Sequence, residues 1–138
     1  MAVYSGHLRF STAGDGDVID LTEGVATIVE TSRVRMGIAS VFVPGSTAAI
    51  TALEHEPGGL EDLKAAFERL IPAEGDYAHN RLNHDTNSHA HIRAAIVGPS
   101  ETVPVRDGQL QLGTWQQLVL VDFDDRPRER TVVVQVLG

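Results

Sequence analysis

From Glu101 onward the chain is built to form antiparallel strands. Asp107-Gly108 falls between VPVR and QLQL, a pair suited to the positive φ angles of a two-residue hairpin turn. Beyond the turn, Leu110 and Leu112 alternate with Gln109 and Gln111, and the run from Trp115 to Phe123 is apolar enough for a central strand. DDRPRER then reads as a charged turn and TVVVQVL as a closing strand.

Upstream, helical and extended patterns alternate. Residues 3–10 suit a first strand, followed by the turn-rich STAGDGD. In the next segment Thr22 is the expected N-cap, Glu23 lies in the first turn, Val25, Ile28 and Val29 fall at helical spacing, and Gly37 lies beyond the end. Residues 38–43 form a short apolar run between Gly37 and Pro44, hence a buried strand. Residues 47–54 fit either helix or strand, and their alternation favours strand. Leu60, Leu63, Phe67 and Leu70 mark an amphipathic helix that Pro72 closes. Asn87 or Ser88 caps a short Ala-rich helix ending at Gly98. With no repeat or linker, residues 1–138 are expected to form a single α+β domain, a mainly antiparallel sheet with about three helices.

The 138 residues include no cysteine, which removes disulfides, thiolate metal sites and cysteine nucleophiles and suits a reducing cytoplasm. Eleven basic against nineteen acidic side chains give a formal charge of −8, which disfavours nucleic acid and anionic membrane as partners. No apolar run approaches the roughly 18 residues of a membrane span, and the N-terminus lacks the pattern of an export signal. The expected partner is a small metabolite.

The chemistry concentrates between Tyr77 and Ser100, which hold four of the six histidines, the Asp85/Asn87 pair and Arg93. Such a set can bind a metal, shuttle a proton or hold a phosphate. A divalent Mg, Mn or Zn ion would have to use His, Asp, Glu or water. His89 and His91 are two apart, so only one of them faces a site. Asp85 and Asn87 also suit an Asx turn that caps the following helix. Glu54 can serve as base or metal ligand if buried, and is otherwise a surface carboxylate. The turn reaching Thr47 offers hydroxyls and amides to an anion. Trp115 is expected in the core, whereas the Gln116 amide must be hydrogen-bonded or face a pocket. Arg126, Arg128 and Arg130, in step at two-residue spacing, form an anion clamp or pair with Asp124 and Asp125.

Taken together, VFVPGSTAAITALE, YAHN, HDTNSHAHIRAAIVGPS, VPVRDGQLQLGTWQQLVLVDFD and DRPRER resemble the YjbQ-like, or secondary thiamine-phosphate synthase, family over residues from about 3 to 137. The most specific part is the conjunction, in order, of N-x-x-x-H-I-R-A, G-x-S and L-G-T-W-Q-Q. The resemblance implies a compact α+β fold, a homotrimer and, for some members, thiamine-phosphate synthase activity. It marks Thr47, Glu54, His79, Asp85, Asn87, His91, Arg93 and Ser100 as motif positions, with Thr114, Trp115 and Gln116 facing them. Many members carry histidine in a P-H-T-T-A motif where this chain has Gly45. His55, His84 and His89 are the imidazoles available to compensate.

The implied reaction joins a pyrimidine-methyl diphosphate to a thiazole phosphate and releases pyrophosphate. Glu54, Asp85, Asn87 and His91 are the expected catalytic groups, His79 and His91 the expected metal ligands. Thr47, Arg93, Ser100, Thr114, Trp115, Gln116 and Arg126 are expected to bind substrate. Metal-assisted hydrolysis of a small metabolite, and a non-enzymatic ligand-binding trimer, are the alternatives.

Overall fold

The computed structural model describes residues 2–138. Twelve elements follow in order: β1 (Val3–Thr12), β2 (Asp17–Asp20), α1 (Thr22–Ser32), β3 (Met36–Phe42), β4 (Ala48–Leu53), α2 (Pro57–Leu70), α3 (Ala78–Asn83), α4 (Ser88–Val97), β5 (Ser100–Arg106), β6 (Gln109–Leu110), β7 (Gln117–Asp122) and β8 (Arg128–Leu137). The larger sheet runs β1-β8-β3-β5-β6 and the smaller β2-β7-β4. Every pairing is antiparallel. The α+β expectation holds, with two sheets and four helices rather than about three.

Side-chain alternation assigns the layers. Val132, Val134 and Val136 of β8, with Val41 and Val105, meet Leu118, Leu120 and Ile50 of the smaller sheet, and Val25 and Val29 of α1 close this core. The other face of the smaller sheet, Ala49, Val119, Val121 and Phe123, packs on Ala90 and Ala94 of α4 and on Phe67 of α2. The Phe67 and Phe123 rings meet edge to face at 4.9 Å. β7 is therefore buried on both faces, which explains its unbroken apolar sequence.

The Asp107-Gly108 turn forms as expected, with φ of 53° and 74°. Residues 47–54 resolve as a strand, paired along β7. Thr22 does not cap α1. Its Oγ1 accepts the Leu118 N–H at 3.0 Å, and Asp20 Oδ1 accepts the Thr22 N–H at 2.9 Å. The helix stops earlier than expected because Arg33 takes a left-handed conformation, and Gly37 lies within β3. A Cβ at Gly37 would stand 1.9 Å from the Leu137 carbonyl oxygen, so the close strand approach requires glycine.

Trp115 is a second correction. It sits in the turn before β7 and is 73% exposed, not in the core. The Thr114-Trp115 turn, closed by the Gln116 N–H donating to the Gly113 carbonyl at 3.0 Å, carries it outward, and β7 begins only at Gln117.

Candidate functional site

The inward faces of β7 and β8 are apolar until their adjoining ends, where Asp122 and Asp124 meet Arg130 and Arg128. Both carboxylates are fully buried. Arg130 Nε donates to Asp122 Oδ2 at 2.7 Å and its Nη2 to Asp122 Oδ1 at 3.0 Å, while Arg128 Nε donates to Asp124 Oδ2 at 2.9 Å. Thr12 donates to Asp122 at 2.6 Å and Thr47 to Asp124 at 3.0 Å. The two-residue arginine spacing thus serves internal pairing. Burial alone would raise the Asp124 pKa, but hydrogen bonds from Thr47, Arg128 and the Asp125 N–H outweigh it and hold the carboxyl at about 2.

From Asp124 a directional chain runs outward. Asn87 Nδ2 donates to Asp124 Oδ1 at 3.4 Å, and Asn87 Oδ1 lies 3.2 Å from His79 Nε2. Asn83 Nδ2 lies 3.4 Å from His79 Nδ1. With the proton on Nε2, His79 donates to Asn87 and accepts from Asn83, so its orientation and tautomer are both set. Asp85 Oδ2 stands 3.7 Å from the same Nε2. The His91 ring packs on His79 with centroids 4.6 Å apart. Among the described residues the His91 ring makes no hydrogen bond, which leaves it as the imidazole available for chemistry. Arg126, half exposed, spans Asp85 at 3.5 Å, Asp125 at 3.4 Å and Asp124 at 3.8 Å.

The turn between α3 and α4 creates this arrangement. His84 ends α3 in a left-handed conformation, and Asn80 Oδ1 accepts the Ser88 N–H at 3.1 Å at the start of α4. Asn87 occupies the N-cap position without a side-chain cap, since its amide serves His79 and Asp124. Helical geometry separates the neighbouring histidines: His91 faces His79, whereas His89 is buried elsewhere. Burial, reinforced by the Arg93 guanidinium, pushes the His89 imidazole below the ordinary histidine range.

Of the expected residues, Thr47, His79, Asp85, Asn87, His91 and Arg126 come together. Glu54 is exposed just after β4, and its carboxylate makes no hydrogen bond among the described residues. Ser100 is exposed at the start of β5. Arg93 is buried, donating to the Ile71 carbonyl from Nη2 at 2.6 Å and Nε at 3.1 Å and to Glu68 at 3.0 Å. It ties α2 to α4 rather than gripping a phosphate. Thr114 and Gln116 line a different cleft of about 740 Å³ between α1 and the β5–β6 hairpin. The Gln116 amide oxygen accepts the Gly113 N–H at 3.1 Å there. Asp122 is the residue that sequence reasoning missed, whereas pairing of the arginines with Asp124 is one of the two outcomes the sequence offers; an aspartate ending an apolar strand before an R-x-R-x-R run signals buried pairing.

The expected divalent cation does not fit this set as a single-chain site. Among the described residues no three His, Asp or Glu side chains are disposed to hold a metal ion. Nor does Gly45 leave room for another ligand. Its φ is 137°, and a Cβ there would lie 2.8 Å from Arg130 Nη1. His55 does not compensate, its Nε2 lying 3.4 Å from the Val18 carbonyl oxygen, and His84 is exposed at the end of α3.

Residues 6–138 match the sequence model of the UPF0047 protein YjbQ-like family. The chain belongs to the YjbQ-like family. A UPF0047 protein of Methanothermobacter thermautotrophicus is 38% identical over 138 residues, covering 100% of this chain and 94% of that protein. A second, from Archaeoglobus fulgidus, is 41% identical and covers 94% and 98%. The fold matches the crystal structure of a protein of unknown function from Sulfolobus solfataricus described as YbjQ-like, with a TM-score of 0.94, 39% identity and coverage of 99% and 98%. A hypothetical protein of Aeropyrum pernix gives a TM-score of 0.90 at 36% identity and covers 97% and 98%. The YjbQ-like fold therefore spans the whole described chain. Among its described residues, no helix is long and apolar enough to cross a membrane.

Proposed function

We propose that this YjbQ-like chain is a transferase of the thiamine-phosphate synthase type, acting on small phosphorylated metabolites at the His79/His91 site. The observation that carries the reading is the imidazole pair at 4.6 Å, one ring fixed through Asn87 and the other without a hydrogen bond. Arg126, 3.5 Å from the Asp85 carboxylate that itself stands 3.7 Å from His79, brings positive charge to the site for a departing diphosphate. The bond between the pyrimidine-methyl carbon and the diphosphate oxygen breaks, and pyrophosphate leaves with the electron pair. The lone pair of the thiazole nitrogen forms the new C–N bond. His91 donates a proton to the departing oxygen, while His79, Asn87 and Asp124 keep the pair oriented.

The reading includes a homotrimer. Val3, Met36, Ile38 and Phe42 on the outer face of the larger sheet, and Trp115 in the turn before β7, are large exposed apolar side chains that assembly would cover. Sedimentation tests this, since a mass near the single-chain 14.9 kDa excludes an oligomer.

The decisive assay supplies the pyrimidine-methyl diphosphate and the thiazole phosphate and measures thiamine phosphate. The proposal requires product with the wild type and its loss in His91→Ala. No product, or equal rates in both, rejects it. The alternative of a non-enzymatic ligand-binding protein rests on the large cleft lying apart from the histidines, and predicts ligand-dependent thermal stabilisation without turnover.

A further inference from the structure

On another side of α4 lies a pocket of about 480 Å³ whose wall carries four carboxylates, Asp15, Glu74, Asp85 and Asp125, and no lysine or arginine. The nearest compensation is Arg126, which contacts Asp85 and Asp125. Thr86 also donates to both, through its N–H to Asp85 at 2.8 Å and its hydroxyl to Asp125. Asp15 and Glu74 have no such partners among the described residues. Four negative charges against one positive leave the pocket strongly anionic, and fields are focused in concave sites.

A second observation is independent of the acidic residues. His89 forms part of the same wall and is only 4% exposed, and its Nδ1 is buried with no hydrogen-bond partner. Buried unpartnered N–H groups are rarer than unpartnered acceptors. The proton therefore belongs on Nε2, at the open edge of the ring. No protein acceptor meets that N–H among the described residues, so a ligand oxygen is its natural partner.

We infer that this pocket binds a small organic ammonium ion that also presents a hydroxyl or carbonyl oxygen, the ammonium against the carboxylates and the oxygen against His89. A bare metal ion fits less well. No three ligands converge among the described residues, and the volume is that of an organic ligand rather than an ion. The pocket shares Asp85, and through it Arg126, with the site of the transferase reading, but Asp15, Glu74 and His89 take no part in that chemistry, so their variants test this inference separately.

The test is an amide chemical-shift titration of the full chain with aminobutanol, butylamine and butanol. Aminobutanol should bind about tenfold more tightly than butylamine, which lacks the oxygen, and butanol, which lacks the charge, should not bind. Shifts should centre on Asp15, Glu74 and His89. Asp15→Asn and Glu74→Gln, both at exposed positions, should each weaken binding while preserving the spectrum elsewhere. Because His89→Phe can disturb the helix packing, these two variants carry the decision. Equal binding of aminobutanol and butanol, shifts confined to another region, or stoichiometric Mn²⁺ binding that displaces aminobutanol would overturn the inference.

Discussion

Arg130 Nε stands 2.7 Å from Asp122 Oδ2 where the two packed sheets would otherwise end in open backbone. The pair seals that end of the core, and the same guanidinium reaches Thr47 at 2.7 Å beneath the candidate site. Removing one member leaves the other charged, buried and unpaired.

Arg130→Met should lower unfolding stability by about 3–5 kcal/mol, the usual cost of an orphaned buried charge. In urea denaturation, Arg130→Met with Asp122→Leu should recover much of that loss. A double variant as unstable as the sum of the singles would show that the two residues are not energetically linked.

Substitution at Gly45 should act through Arg130. Gly45→Ala introduces a Cβ at φ 137° and 2.8 Å from the guanidinium, and strain of this kind costs on the order of 1–3 kcal/mol. The steric part should disappear in an Arg130→Ala background. A double-mutant cycle without coupling would place the entire cost in the backbone.

Acid should destabilise the protein through Asp124. Its folded pKa of about 2 lies below the ordinary value of 3.8. The resulting stabilisation is complete above the unfolded value and is lost as pH falls from near 4 through 2. Its size is roughly 2 kcal/mol. The wild-type stability curve should steepen in that window, and Asp124→Asn should flatten it while lowering stability at neutral pH.

In the transferase assay, Asn87→Leu should reduce turnover by about 10²-fold with little change in KM, because it removes the group that sets the His79 tautomer. Its rate–pH profile should also change shape. An unaltered profile would mean that His79 needs no such orientation.

Trp115→Ala tests the correction to the sequence reading. An exposed tryptophan should contribute less than about 0.5 kcal/mol to the stability of the single chain, against about 3–5 kcal/mol for a core ring. Urea midpoints of the isolated chain distinguish the two.

The elements that sequence made legible are those with strong local signals. The Asp107-Gly108 turn, the periodic Leu60–Leu70 helix and the apolar β7 appear where expected, the turn through its residue pair, β7 through burial and the helix through its period, although only Leu60, Leu63 and Phe67 of its apolar stripe are partly covered and Leu70 is exposed. α3 has neither signal: AHNRLN spans one and a half turns, Tyr77 provides no side-chain cap and no apolar period emerges. Without α3, the closeness of His79 and His91 could not be read from a spacing of twelve residues. Arg93 failed as a phosphate-binding candidate because charge type in a sequence does not say whether a side chain faces solvent or a helix terminus. The arginine triplet resolved through parity, since Arg128 and Arg130 continue the inward face of Val132 and Val134.

The strand order also governs how the chain folds. β8 is the central partner of both β1 and β3, and β1 touches the larger sheet only through it, from Val3 opposite Leu137 to Thr12 opposite Arg128. On the ribosome, β1 emerges long before its only neighbour in that sheet exists. β3, β5 and β6 can pair before the chain is finished, but the first strand must wait for the last. Loop closure over such a separation favours slow refolding, in milliseconds to seconds. Until then the edge of β1 is open to other chains.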